Sequence, residues 1–291
     1  MASLLRLCAV LFLASLTTAN TPLSDELVQS SMFTNDTRGF EIAMASRPMW
    51  HFASMRPAFF IGQRSTCYPS SALTADGKQQ GTPPNKWPDA STGCADPGPR
   101  GAGNPFPTYW NVKKCQDDEI RVIYSLYFQH DGFSNVLLAK GHMHDWERIV
   151  VSWKRNPQTG EWRRDQLLKS MHSGYQAKAW NSVQSTFTYN NTNENNGKDK
   201  DGPKIYVGWA KHPNYDTKET GWRDSISQGC QREYRSDQWW YLPTEDDMIW
   251  AAKESPEGKR MATFDWGSAT GGPWVVEDDI CSKKDGGYIA C

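Results

Sequence analysis

The sequence predicts a mainly β protein, a single-domain β-sandwich with helices at its periphery. The clearest strand spans residues 120–128, where Ile, Val, Tyr, Leu and Phe occupy every second position and therefore share one face. Further β-branched and aromatic segments follow it, separated by connections rich in Gly, Pro and Asn. Few segments have a helical period. A succession of strands with few helices is typical of a sandwich.

The other elements can be taken in chain order. A polar arm that is partly helical at residues 24–32 precedes a strand-like segment at residues 49–61. Residues 66–107 contain too many Gly, Pro, Ser and Asn residues for long regular structure. Beyond the clearest strand, three more strands are predicted, at residues 148–154, 166–172 and 204–211. An Asn-rich tract at residues 190–202 predicts a surface loop.

A helix start is predicted late in the chain. Thr244 is a preferred N-cap residue, and Asp247 follows three residues later, where its carboxylate can bond back to the start of a helix. The helix itself is predicted over residues 248–254.

The first 19 residues have the composition of a secretory signal peptide. Arg6 precedes an apolar run, and Thr-Thr-Ala follows as a small-residue cleavage context. No later segment approaches the roughly 18 consecutive apolar residues of a membrane-spanning helix. We therefore expect a secreted, monomeric protein in which residues 20–291 form one domain. In a eukaryotic secretory pathway, the sequons at Asn35 and Asn190 predict N-glycosylation.

Charge and aromatic content limit the classes of partner. Lys and Arg total 32 against 33 Asp and Glu, a formal net charge of −1, so the surface has no general attraction for nucleic acid or for anionic membrane. Recognition of a membrane must then be specific. The chain has 14 Trp residues, most of which we expect in the core, with a minority on loops for a bilayer interface or a sugar ring.

The cysteines indicate disulfide bonds. One of the seven, Cys8, lies in the signal peptide, and the other six are Cys67, Cys94, Cys115, Cys230, Cys281 and Cys291. An even number in an exported chain favours disulfides, and the absence of a Cys-x-x-Cys motif disfavours a metal site. Closeness in sequence favours Cys281 with Cys291, although sequence alone does not choose among the possible pairings.

A site is predicted at residues 141–147, Gly-His-Met-His-Asp-Trp-Glu, which place two imidazoles and two carboxylates beside an apolar run. Asp145 and Glu147 share a strand face, whereas His142 has the opposite parity and joins them only if the chain turns at Gly141 and the strand begins after it. A His and two carboxylates suit a hard divalent cation, Mg²⁺, Mn²⁺ or Ca²⁺. The alternative is a hydrogen-bonded polar corner without an ion. Zinc-hydrolase patterns are absent.

These seven residues resemble the signature of the necrosis- and ethylene-inducing-like proteins, Gly-His-Arg-His-Asp-Trp-Glu, at six of seven positions. Other segments are similar to the motifs of that family, in the same order. They are residues 124–128 (Tyr-Ser-Leu-Tyr-Phe), 130–131 (His-Asp), 172–175 (His-Ser-Gly-Tyr) and 265–269 (Asp-Trp-Gly-Ser-Ala). The resemblance spans roughly residues 45–280.

The resemblance implies a fold similar to actinoporins and fungal lectins, and a cytolysin rather than an enzyme. It implies a divalent cation, Mg²⁺ or Ca²⁺, at one end of the sandwich, with the ligands Asp131, His142, Asp145 and Glu147. By the same similarity His172 is a supporting residue, although it could equally be a hydrogen-bonded core histidine. We expect His144 to face away from the ligands and to brace the loop by hydrogen bonding, and Met143 and Trp146 complete the supporting set. The implied partner is glycosylinositol phosphorylceramide, a plant plasma-membrane sphingolipid whose terminal sugar enters the cavity before the bilayer leaks. The remaining residues His51, His130 and His212 are interpreted as structural or surface residues.

The resemblance also extends to the cysteines. Cys67, followed by a Gly-rich loop and Cys94, is similar to the N-terminal disulfide loop of the family. If that pair forms, and if Cys281 pairs with Cys291, Cys115 is left for Cys230.

Three departures from the family pattern bear on activity. Met143 stands where the family has Arg, Asp131 and His142 are 11 positions apart, which is more than is typical, and residues 181–203 resemble an insertion. An Arg could orient a carboxylate beside the cation, and Met143 cannot. We therefore expect weaker lysis of plant membranes than from members with the usual signature.

Two other classes of function remain open from the sequence. In a metal-dependent hydrolase, Asp145 or Glu147 would act as the base on a metal-bound water. In a non-lytic elicitor, residues 120–147 would be displayed to a host immune receptor.

Overall fold

A computed structural model describes residues 20–33, 38–55, 64–87, 89–134, 141–171, 174–186, 197–218 and 235–286. The helices are α1 (Asp25–Phe33), α2 (Phe40–Ala45), α3 (Pro256–Met261) and α4 (Pro273–Val276). The strands are β1 (Met49–Phe52), β2 (Ser54–Met55), β3 (Arg64–Ser65), β4 (Gly101–Ala102), β5 (Thr108–Gln116), β6 (Glu119–Asp131), β7 (His142–Arg155), β8 (Trp162–Met171), β9 (Gly174–Ala179), β10 (Ser185–Thr186), β11 (Gly202–Val207), β12 (Asn214–Tyr215), β13 (Trp239–Tyr241) and β14 (Met248–Trp250).

Two six-stranded sheets make up most of the fold. The first has the order β14-β5-β6-β7-β8-β9, in which β5 to β9 are antiparallel neighbours and β14 adds in parallel at the edge. The second has the order β10-β11-β1-β13-β4, with β12 also paired to β11. Strands β2 and β3 form a separate ribbon. The chain is therefore mainly β, as the strand pattern predicts.

An aromatic core fills the space between the two sheets. The first sheet contributes the alternate residues of β6, including Tyr124 and Phe128, and the second contributes Trp50, Phe52 and Val207. Full burial of one such side chain stabilises the fold by about 1.5–3 kcal/mol relative to exposure. The predicted face of β6 and the sandwich architecture are confirmed by this packing.

The C-terminal segment covers the other face of the first sheet. Tyr127 and Trp146 of that face pack against Met261, Trp266 and Trp274, which lie on or between α3 and α4. Ring centroids of Trp146 and Trp274 are 5.4 Å apart in an edge-to-face arrangement, which aromatic pairs prefer. Because of this packing, residues 266–283 lie against the first residues of β7.

Two disulfides join described residues. Cys67 is bonded to Cys94, the pair that the family resemblance implies. Cys115 is bonded to Cys281 across 166 positions, with Cα atoms 5.3 Å apart. The pairings Cys281 with Cys291 and Cys115 with Cys230 are therefore wrong, because the C-terminal segment crosses the first sheet and brings Cys281 to the end of β5. Residues Cys230 and Cys291 lie outside the described residues.

The helix start at Thr244 forms, but the predicted helix does not. Thr244 and Asp247 make the reciprocal capping contacts around a single 3-10 turn, Glu245–Asp247. The chain then extends as β14, because Met248, Ile249 and Trp250 pair with the edge of β5. Pairing of β14 with β5 therefore outweighs the helix N-cap at Thr244. The helix at residues 24–32 is confirmed as α1, and none of the described helices is both long and apolar enough to cross a bilayer.

Candidate cation site

The predicted acidic residues lie where β6 ends and β7 begins. Asp131 is the last residue of β6 and pairs directly with His142, the first residue of β7. Asp145 pairs with Phe128, and Glu147 pairs with Leu126. Directly opposed residues of antiparallel strands share a face, and Phe128 belongs to the core between the sheets. Asp145 and Glu147 therefore point toward the interior at one end of the sandwich.

His142 reaches the site despite its parity. The strand begins after Gly141, where a Cβ atom would lie 2.1 Å from the carbonyl oxygen of Asp131, so only glycine fits. His144 has a φ of +62°, which interrupts the regular alternation of β7. Nε2 of His142 lies 3.4 Å from Oδ2 of Asp131, and its Nδ1 lies 2.8 Å from the carbonyl oxygen of His144.

The tightest group of potential ligands is Asp131, Asp145 and His212. One ligand atom of each lies within 4.8 Å of the others, and all three residues are buried. Nδ1 of His212 is 2.9 Å from Oδ2 of Asp145, and the imidazole stacks on Phe128 with ring centroids 3.8 Å apart. Such spacing suits a single ion with ligand distances of about 2.0–2.6 Å.

Two buried atoms of this group have no hydrogen-bond partner within the described residues: Oδ1 of Asp131 and Nε2 of His212. The second oxygen of Asp131 is held by Lys211, whose Nζ lies 3.0 Å from it. Buried polar atoms are almost always satisfied by protein, water or an ion. A cation bound to Oδ1 of Asp131 would satisfy that atom.

Glu147 lies outside the tightest group and is held by its neighbours. Ser170 donates its hydroxyl hydrogen to Oε2 of Glu147, while Oγ of Ser170 accepts from the backbone N–H of Arg148 at 3.0 Å and from the amide of Asn214 at 3.2 Å. This chain of contacts fixes the carboxyl group beside the cavity described below.

The electrostatics of the site are dominated by the burial of ionisable side chains whose charges are not fully paired. Burial raises the pKa of Asp145 well above its usual range, and the Asp131 carboxylate raises it further. The pKa of Glu147 is also raised well above its usual range, by burial and then by Asp145. Burial lowers the pKa of His212 to about 3, so its ring is neutral. Converging carboxylates and a neutral imidazole suit a divalent cation, which would restore the charged form of the acids.

The site opens into a cavity of about 420 Å³. One wall carries the acidic residues with His142 and Lys211, and the opposite wall is the segment 268–271 with part of α4. Because β8 pairs with β7 only from Ile149 onward, the edge of β7 before Ile149 lies alongside this cavity. A ligand can therefore approach the acids from the side of the strand.

The predicted supporting residues have different positions. Nδ1 of His144 lies 2.7 Å from the hydroxyl of Tyr127, and its ring packs edge-on against Trp266, which braces the start of β7. Trp146 belongs to the aromatic cluster under the C-terminal segment. Met143 is 44% exposed beside Gly81, so it does not lie beneath the acids. His172, Asn35 and Asn190 lie outside the described residues.

Two residues at the site were missed by the sequence argument. Lys211 closes the predicted strand at 204–211, and His212 follows it; His212 was interpreted as structural or surface. A polar pair directly after a buried strand is the signal that could have suggested them, because strand ends of both sheets meet at the same end of a sandwich. His51 and His130 are buried, at 1% exposure each. His51 stacks on Tyr206, and His130 contacts Cys94 of the disulfide.

A comparison with known protein families identifies the family of the chain. Residues 53–270, well over half of the chain, match the family described as Necrosis inducing protein (NPP1). The chain belongs to this family, which is described by necrosis induction and not by an enzymatic activity.

Individual relatives are more distant. NLP effector protein 10 of Phytophthora capsici is 34% identical over 109 residues, which are 38% of this chain and 42% of that protein. Among solved structures, the non-toxic HaNLP3 protein is 18% identical, with 86% of each chain covered and a TM-score of 0.43. NLPPya in complex with glucosamine is 16% identical, with 78% of this chain and 80% of that chain covered and a TM-score of 0.44.

Proposed function

We propose that this protein is a secreted effector that binds a divalent cation, Mg²⁺ or Ca²⁺, and uses it to hold the sugar headgroup of plant glycosylinositol phosphorylceramide, after which the plasma membrane is perturbed. The ligands would come from Asp131, His142, Asp145 and Glu147, with His212 beside Asp145. The observation that carries the proposal is the pair of buried carboxyl groups, Asp131 and Asp145, facing one another at the mouth of a polar cavity.

A cation is supported by the balance of charge in the described site. Asp131 has Lys211 as an ion-pair partner, whereas Asp145 has no Lys or Arg of the described residues within 4.0 Å and contacts His212 instead. An uncompensated buried carboxylate is costly, and a bound divalent cation removes that cost. Carboxylate oxygens with at most one or two imidazoles are the donors that hard cations prefer.

A sugar headgroup is supported by the cavity. Its volume is in the range of small-ligand sites, and its far wall includes the hydroxyl-bearing residues Ser268 and Thr270. A hard cation that keeps open positions can exchange its waters for two neighbouring sugar hydroxyls. Recognition would then depend on the cation, and the family resemblance points to the sphingolipid headgroup as its source.

Dye release tests the proposal directly. Vesicles containing glycosylinositol phosphorylceramide, and matched vesicles of phosphatidylcholine alone, would be treated with protein in Ca²⁺, in Mg²⁺ and in EDTA. We expect release only from the sphingolipid vesicles and only with cation. Release that persists in EDTA would contradict the cation role, and equal release from both vesicles would contradict headgroup recognition.

Heat-denatured protein separates lysis from the elicitor alternative. Lysis needs the assembled site, so it must disappear after denaturation. A plant immune response that survives denaturation, without dye release by native protein, would favour the elicitor reading of residues 120–147.

A further inference from the structure

Arg148 is a buried cation on the wall of the same cavity. It follows Glu147 on β7 and therefore faces the opposite side of the sheet. It is only 9% exposed. Its guanidinium lies against Gly271, another residue of the cavity wall, where an added Cβ atom would meet Nη1 at 2.3 Å.

No carboxylate of the described residues lies within 4.0 Å of this guanidinium. Nε donates to the hydroxyl of Tyr175 at 2.6 Å, and Nη1 donates to the carbonyl oxygen of Trp146 at 3.5 Å, which is a weak contact. The guanidinium carbon also lies 5.2 Å from the centre of the Tyr175 ring. All of these partners are neutral.

The other cations around the cavity differ from Arg148 in this respect. Lys211 contacts Asp131 at 3.0 Å, and Lys283 contacts Asp279 at 2.6 Å. Elsewhere in the fold, the buried Arg164 also has a carboxylate, Asp201, at 2.8 Å. Glu147 is the carboxyl group on which the Arg148 charge acts, but it lies beyond ion-pair distance. A buried charge without a direct ion-pair partner is destabilising unless something compensates it.

We propose that Arg148 forms an oxyanion subsite in this cavity, for a carboxylate or phosphate group carried by the ligand. The forked donors of a guanidinium match the two oxygens of such a group, and Nη2 has no protein partner in the described structure. Glu147 and Arg148 are consecutive, and the edge of β7 beside the cavity lets one ligand reach both sides. The subsite therefore deepens the proposed function, since the headgroup would carry an acidic group near the hydroxyls that meet the cation.

Matched sugars test the subsite. Binding of methyl glucoside, glucuronic acid and glucose 6-phosphate would be measured by calorimetry in Mg²⁺ and in EDTA, for the parent and for Arg148→Met and Arg148→Lys. Inorganic phosphate serves as the sugar-free arm. We expect at least one acidic sugar to bind the parent about tenfold or more tightly than methyl glucoside. The preference for an acidic sugar over methyl glucoside should vanish in Arg148→Met. It should be reduced in Arg148→Lys, because lysine keeps the positive charge but lacks the paired N–H donors of a guanidinium.

The outcomes separate this inference from the proposed function. Cation-dependent binding of all sugars with no acidic preference, or a preference that survives in Arg148→Met, would overturn the subsite and leave the proposed function standing. Binding of an acidic sugar or phosphate that needs Arg148 but not Mg²⁺ would support the subsite and contradict the cation role. Absence of any binding by the parent would overturn both. If Arg148→Met does not fold, Gly271→Ala supplies the second variant, since its methyl group displaces the guanidinium.

Discussion

Oδ2 of Asp145 lies 2.9 Å from Nδ1 of His212, although 67 positions separate the two residues. Asp145 belongs to the first sheet, and His212 lies in the turn after β11 of the second. The ring of His212 also stacks on Phe128, inside the core between the sheets. The proposed site would therefore be complete only when the sandwich is closed, which would couple cation binding to the integrity of the fold.

Asp145→Asn should reduce divalent-cation affinity by at least about tenfold, because the amide keeps the shape of the side chain but removes its charge. Calorimetry with Mg²⁺ and Ca²⁺ measures this. Asp278→Asn is the matched control. Asp278 is an exposed carboxylate that pairs with Lys253 at 2.7 Å and is not one of the proposed ligands. Equal affinity in the parent and in Asp145→Asn would show that the site is assigned wrongly.

His212→Phe should lower cation affinity by about 10–100-fold while the protein remains folded. Phenylalanine preserves stacking on Phe128 but removes the nitrogen that contacts Asp145. Calorimetry gives the affinity, and near-ultraviolet circular dichroism reports the aromatic core. If the variant keeps the native cation affinity and the native dichroism, His212 contributes to packing and not to cation binding.

The contribution of His51 to stability should fall as the pH drops below about 6.5. Burial, and then the nearby Lys204, lowers the pKa of His51 to about 3. Between the unfolded pKa of about 6.5 and that value, the unfolded chain binds a proton that folded His51 does not, so acid favours unfolding. At pH 5 the contribution is of order 2 kcal/mol.

Urea unfolding of His51→Phe at pH 7 and pH 5 measures this term. The substitution keeps a ring against Tyr206 and leaves the other buried histidines in place. The parent should lose about 2 kcal/mol more than the variant between the two pH values. Equal losses would mean that His51 is not protonated in the unfolding transition.

Peptide mapping should recover one disulfide-linked fragment containing Cys115 and Cys281. Replacing both by Ser should lower the free energy of unfolding by about 2–5 kcal/mol, because a long loop is released in the unfolded state. Replacing Cys230 alone is the comparison for the mapping: the Cys115 fragment should be unchanged. A Cys115–Cys230 fragment in the parent would contradict the observed pairing.

Gly81→Ala should weaken cation binding without touching a ligand. An added Cβ atom would lie 2.3 Å from Cε1 of His144, so His144 must leave its contact with Tyr127 and release the start of β7. Gly267→Ala is the control for the backbone cost of replacing a glycine of positive φ, since Gly267 has a φ of +57° and its added Cβ would meet nothing within 4 Å. Calorimetry measures the cation affinity of both variants. Equal affinities would show that His144 does not brace the start of β7.

The sequence by itself determined the features that depend on local pattern. Alternation from Ile120 to Phe128 predicted the strand and its buried face, and the parity of Asp145 and Glu147 predicted that they share a face. The motif at residues 141–147 indicated the family, and composition predicted the irregular segment 66–107. Each of these follows from neighbours in the chain, so no knowledge of distant contacts was needed.

Only the tertiary structure decided which distant residues meet. Cys115 joins Cys281 because the C-terminal segment crosses the first sheet, and closeness in sequence pointed to the wrong partner. Residues 248–250 form a strand because the edge of β5 offers free backbone hydrogen bonds, which outweigh the helix cap at Thr244. Sheet packing brings His212 to Asp145, and the cover of residues 268–283 completes the cavity that Arg148 lines. Such contacts depend on how whole layers pack, and no local period or spacing encodes them.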